Sequence, residues 1–121
     1  MSDWPDELPG LNIKQALSQL GGKKSLYLRL LGMFQGNHAN DVDRLIAVAK
    51  EEDWTAVHEV NHALKGVTGN LAASELYDLC VTVDHKMKSN DHNIEAELDA
   101  MPVAMTTLIS SIDEALKLPA E

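Results

Sequence analysis

Cysteine is nearly absent, with Cys80 alone in 121 residues. A single thiol makes no internal disulfide and builds no thiolate metal cage, which excludes a stapled secreted scaffold and a zinc finger and suits a reducing cytoplasm. Aromatic residues are scarce at 4%, and ten Lys and Arg stand against nineteen Asp and Glu for a net charge of -9. A field of that sign repels a phosphate backbone, so nucleic acid is not an expected partner. No run approaches the roughly 20 apolar residues of a membrane span. The N-terminus, Met1-Ser2-Asp3-Trp4-Pro5-Asp6-Glu7, is acidic and proline-broken where a signal peptide is basic and then apolar. Neither export nor a membrane partner is expected, and the cytoplasm is the expected compartment. There is also no glycine-rich nucleotide loop, which leaves no means of taking phosphate from ATP.

What is present is a helical pattern. At 45% hydrophobic and 24% charged residues, the chain has the balance of a folded domain. Its length fits one core, so 1–121 reads as one domain with residues 1–10 as an extended lead. Apolar residues recur at three and four, and no alternating run reads as a strand. The expectation is all-α: an antiparallel up-and-down four-helix bundle with one or two additional N-terminal helices. A first helix through Leu11, Ile13, Leu17 and Leu20 should stop at Gly21-Gly22. A second through Tyr27, Leu31 and Phe34 should stop at Gly36, and a third, capped by Asn37 or Asn40, carries Val42, Leu45 and Ile46. Asp53 can cap a fourth and Ser74 a fifth, and Pro102 should kink or split the last, which runs from Ile94 to Leu116. Cys80 and the five methionines read as core or near-core packing, Trp54 as an anchor between helices, and His38 and His92 as loop or helix-end residues.

The helix after Asp53 carries the chemistry. Val57, Val60, Leu64, Val67 and Leu71 step by three and four and fall in a sector roughly 80° wide, the buried seam of a bundle helix. His62, Gly66 and Gly69 fall roughly on the opposite side. Each glycine costs about 1 kcal/mol against alanine inside a helix, and with no helix packed on that side, the reasons left are close approach by an outside surface or simply the end of the helix. His62 then stands beside bare backbone. An imidazole in water titrates near about 6.5, so at neutral pH its free nitrogen is a nucleophile able to take a phosphoryl group. Lys65, three residues on, can set a positive charge beside the added oxygens.

The stretch His62-Ala63-Leu64-Lys65-Gly66-Val67-Thr68-Gly69-Asn70-Leu71 closely resembles the motif around the active histidine of bacterial histidine-containing phosphotransfer domains. Leu8-Pro9-Gly10-Leu11, Leu20-Gly21-Gly22 before Leu26-Tyr27, and Asp53-Trp54 extend the resemblance over roughly residues 8 to 90. The resemblance implies a phosphorelay intermediate of a two-component system and a monomer. It implies a partner that is the receiver domain of a response regulator or hybrid sensor kinase, and no cofactor of its own, since Mg²⁺ belongs to the receiver. Carried over by position, His62 is the phosphoacceptor and Lys65 a phosphate-stabilising neighbour, while His58, Gly66, Gly69 and Asp84 are docking residues. Two positions depart from the usual pattern: Ala72 where many members have glycine, and Asp84 where many have glutamine. Lys65, Lys86 and Lys88 would face the acidic pocket of the receiver across a small interface of micromolar Kd, about -8 kcal/mol.

Two other readings compete. A helical adaptor that binds and transfers nothing fits the composition equally well. His58-Glu59-Val60-Asn61-His62 also fits the H-E-x-x-H zinc pattern, with His85 or His92 as third ligand, although a catalytic zinc needs a walled cleft. Adventitious zinc on His58 and His62 is a separate matter. Met1 at the start and a complete bundle suggest a free-standing protein.

Overall fold

Asn12 folds its side chain back to accept from the Gln15 amide at 3.1 Å, and this cap opens the first of six helices in a computed structural model that describes residues 4–120. Helix α1 spans Ile13–Gln19, α2 Lys24–His38, α3 Asp41–Lys50, α4 Trp54–Leu71, α5 Ser74–Lys88 and α6 Glu95–Ala115. Among the described residues there is no strand, only an isolated bridge between Leu8 and Leu11. Met1 and the first residues of the lead lie outside the described residues. Gly21 and Gly22 at φ +66° and +78° end α1, conformations that a Cβ disfavours.

Several boundaries differ from the sequence reading, and at Gly36 and Pro102 tertiary contacts outweigh local penalties of about 1 and about 3 kcal/mol. Helix α2 runs through Gly36 to His38. Its last turn is tied down by Phe34, which is buried, by the His38 ring against Phe34 at 5.5 Å, and by His38 Nδ1 against Asp41 Oδ2 at 2.7 Å. Ser74 is the first residue of α5 rather than its cap; Ala73 holds that place and gives no side-chain bond. Helix α6 is unbroken across Pro102, because Met101, Met105 and Leu108 are all buried along it while the proline itself faces solvent.

Helix α4 packs against α3 and α5, and α6 closes the set by packing against α5 and α3, with α2 touching both α4 and α6. The core runs through Tyr27, Leu31, Leu45, Leu64, Leu76, Met101, Leu108 and Ile112. Tyr27 donates its hydroxyl to the Leu71 carbonyl at 2.9 Å, which joins α2 to the end of α4, and burial pushes its phenol far above the usual range. Cys80 is fully buried and its thiol is pushed up to about 12 by burial, so it packs as a small apolar residue. Met33 departs from the expected methionine packing and is 52% exposed. Trp54 stacks on His92 at 4.1 Å and so fastens the start of α4 to the loop after α5.

The end of α4 stores strain. Ala72 sits at φ +56°, ψ +38°, its amide bonding Gly69 O at 3.2 Å while the Ala73 amide bonds Thr68 O at 2.9 Å. These are the two bonds of a Schellman ending, and its left-handed residue is ordinarily glycine. Ala72→Gly is therefore expected to stabilise the protein by about 1 kcal/mol, a rise in Tm of roughly 4 °C by calorimetry. A lower Tm would mean that the buried Ala72 methyl matters more than the backbone conformation.

Candidate functional site

Asp53 accepts from the Ala56 amide at 3.2 Å and starts α4 one residue before Trp54. That start fixes the register of everything after it. Val57, Val60, Leu64 and Leu71 are buried and Val67 half-buried, so the seam faces inward and His58 and His62 emerge on an open ridge. Their rings lie 5.8 Å apart between centroids, with planes 20° from parallel. One turn beyond His62, a Cβ built on Gly66 would meet nothing within 4 Å.

Gly69 has a different reason for being glycine. A Cβ there would stand 3.1 Å from Tyr77 Cε1 of α5, so a neighbouring helix does approach on this side, contrary to the sequence expectation of open solvent. The aromatic ring lies on the backbone, and only Gly66 of the pair is bare. A helical wheel assigns sides of one helix and carries no information about where α5 sets its tyrosine.

Beside the ridge lies a network of charge. Lys65 Nζ reaches Asp84 Oδ2 at 2.9 Å and Lys88 Nζ reaches the same oxygen at 3.0 Å. Asp84 is only 4% exposed, so its carboxylate meets these two lysines rather than solvent. The hydrogen bond from Lys65, helped by that from Lys88 and opposed by burial, lowers its pKa to about 2. Its Oδ1 is buried with no hydrogen-bond partner among the described residues. Lys86 leaves the ridge: it bonds Glu97 of α6 at 3.0 Å and the Asn93 carbonyl at 2.9 Å. The sequence reading, which set Lys65, Lys86 and Lys88 together toward a partner, holds for no more than two of them.

Asn61, next to His62, went unnoticed in the sequence. It is buried and donates Nδ2 to the Cys80 carbonyl at 2.9 Å, binding α4 to α5 directly behind the ridge. Thr68 is also buried, its hydroxyl returned to Leu64 O at 2.8 Å. Both flank the apolar seam, and a polar residue at the margin of a helical stripe reads equally as buried or exposed.

Two depressions border α4. A polar one of about 600 Å³ lies toward α5, between Lys65, Gly66 and Tyr77, and an apolar one of about 420 Å³ lies toward α2, between Leu30, Met33, Phe34 and Val67. His62 lines neither and stands on the ridge between helices. No group of three His, Cys, Asp or Glu side chains converges as metal ligands among the described residues, and His92 rests on Trp54. The third ligand that a catalytic zinc requires is therefore missing from the described residues.

The molecule thus falls in the class of all-helical bundles that present an accessible imidazole on an open helix face. The model of the Hpt domain matches residues 29–116, most of the chain, and the chain belongs to the Hpt domain family. Domains of this family work by histidine phosphotransfer in phosphorelays, as phosphocarriers rather than kinases, and interact with receiver domains. Neither the curated proteins nor the solved structures offer a match. No helix among the described residues is long and apolar enough to cross a membrane.

Proposed function

We propose that this Hpt domain accepts a phosphoryl group on His62 from the aspartyl phosphate of one receiver domain and passes it to the aspartate of another. The observation that carries this reading is the exposed His62 imidazole, one helical turn from a Gly66 whose added Cβ would meet open space. In the step, a ring nitrogen attacks phosphorus in line, the bond from phosphorus to the aspartyl oxygen breaks, and the nitrogen–phosphorus bond forms. The proton on the ring's other nitrogen takes no part in the bond exchange. A positioned nucleophile needs little else, because Mg²⁺ and most of the charge stabilisation come with the receiver.

Lys65 lies three residues beyond His62 and holds a cation at the edge of the ridge, where it can turn from Asp84 toward the new phosphate. His58 and Gly66 form the docking face with His62, and the apolar depression around Met33 lies along the same helix. We take the protein to act as a cytoplasmic monomer, its helices α3 to α6 in antiparallel order, since the connections between them are short.

The test is transfer from a receiver carrying radiolabelled phosphoaspartate. Label is expected on this chain within the encounter, labile to acid and stable to base as a phosphoramidate is, and recovered in a peptide containing His62. Label that survives acid, or none above the level of a denatured control, would overturn the reading.

A further inference from the structure

His58 and His62 are more than neighbours on a ridge. Two imidazoles four residues apart on a helix can bind one ion together, each placing a nitrogen about 2.0–2.1 Å from it, which brings ring centroids to roughly 5 Å in a tetrahedral arrangement. The rings here lie 5.8 Å apart with planes 20° from parallel, so the two imidazoles share one side of the helix within reach of a common ion, and turning both rings about their side-chain bonds brings one nitrogen of each onto it. Both residues are exposed, and among the described residues neither makes a hydrogen bond or ion pair. Turning them toward a shared ion gives up only their mutual ring contact. His38 is held by Asp41 and His92 by Trp54, so those histidines lack this freedom.

We propose that His58 and His62 form a two-imidazole site for a borderline divalent transition ion such as Zn²⁺, and that ion and phosphoryl group compete for His62. Imidazole selects such ions over Mg²⁺ and Ca²⁺, which take oxygen ligands. A net charge of -9 favours cations at the surface generally, and the pair chooses among them. With no third side chain among the described residues converging on it, the ion keeps water in its remaining positions and exchanges freely, as a competitor and not a resident cofactor. Competition rests on His62 being the phosphoacceptor; the ion site itself does not.

Calorimetric titration of Zn²⁺ into the wild type is expected to show one site, weakened at least about tenfold in both His58→Gln and His62→Gln, because each variant loses the second, tethered ligand. Equal affinity in the wild type and both variants would overturn the site. Phosphoramidate then tests the competition: its phosphorus–nitrogen bond breaks, ammonia leaves, and phosphorus bonds the ring nitrogen. Zn²⁺ is expected to slow this labelling in the wild type, reversibly with EDTA, and to slow it several-fold less in His58→Gln, each protein being compared with its own zinc-free rate. Equal slowing in the two would reject competition. If His62→Gln labels as the wild type does while the titration holds, the phosphoacceptor assignment fails and the ion site stands.

Discussion

In a receiver-to-carrier transfer assay, Gly66→Leu is expected to melt higher than the wild type and to transfer at least about a hundredfold more slowly. The two effects have separate causes. Replacing a helical glycine by leucine gains about 0.8 kcal/mol of helix propensity, and the added Cβ meets nothing within 4 Å, so the side chain sets out into open space. That corresponds to a rise in Tm of roughly 3 °C. The same side chain stands one turn from His62, where the proposed transfer requires the receiver to bring phosphorus within bonding reach. A displacement of about 1 Å at such a point costs on the order of 10²-fold in rate. His62→Gln, on the same exposed ridge, is expected to keep the wild-type Tm and take up no label. Wild-type transfer by Gly66→Leu would show that the bare backbone serves no docking surface, and acid-labile label on His62→Gln would move the phosphoacceptor elsewhere.

This prediction uses the part of the molecule that was legible in the sequence. The steps from Val57 to Leu71 and the cap at Asp53 set the face of α4, and from that face the side on which His62 and Gly66 emerge follows by helical geometry alone. The same reasoning fails wherever a second element decides. Gly69 shares the side of Gly66 but is covered by Tyr77, a residue eight positions later on another helix. Lys86 shares a helix with Lys88 yet pairs with Glu97 on α6. Helix α2 passes through Gly36 because Phe34 and His38 are held from outside. Periodicity describes one helix at a time, and these features arise between helices. The resemblance points to His62 and Lys65 as candidates and says nothing of what an aspartate does where glutamine is usual.

That aspartate carries the second large effect. Asp84 is buried, binds Lys65 and Lys88 through one oxygen, and leaves the other without a partner among the described residues. Asp84→Asn removes the carboxylate's charge and leaves an amide oxygen that can still accept from both ammonium groups, so the expected loss of stability is about 1 kcal/mol, the weakening of two ion pairs to bonds charged on the donor side alone. The effect has a pH signature. The pKa of Asp84 is depressed to about 2 in the folded state from 3.8, so the unfolded chain binds the proton first and stability rises with pH through that interval. Its contribution is whole above about pH 4 and is lost as pH falls toward 2, and Asp84→Asn should lack that component in urea unfolding across the same range. The consequence for transfer runs the other way. With the carboxylate gone, Lys65 and Lys88 are no longer neutralised and their charge is free for a phosphate on His62, three residues from Lys65. Asp84→Asn is therefore expected to move the receiver-to-carrier equilibrium several-fold toward the phosphorylated carrier while lowering Tm. Adding Lys65→Met should abolish that gain. An equilibrium unmoved by Asp84→Asn would mean that the lysines serve only to seat Asp84 in the bundle, and that this carrier holds its phosphate without them.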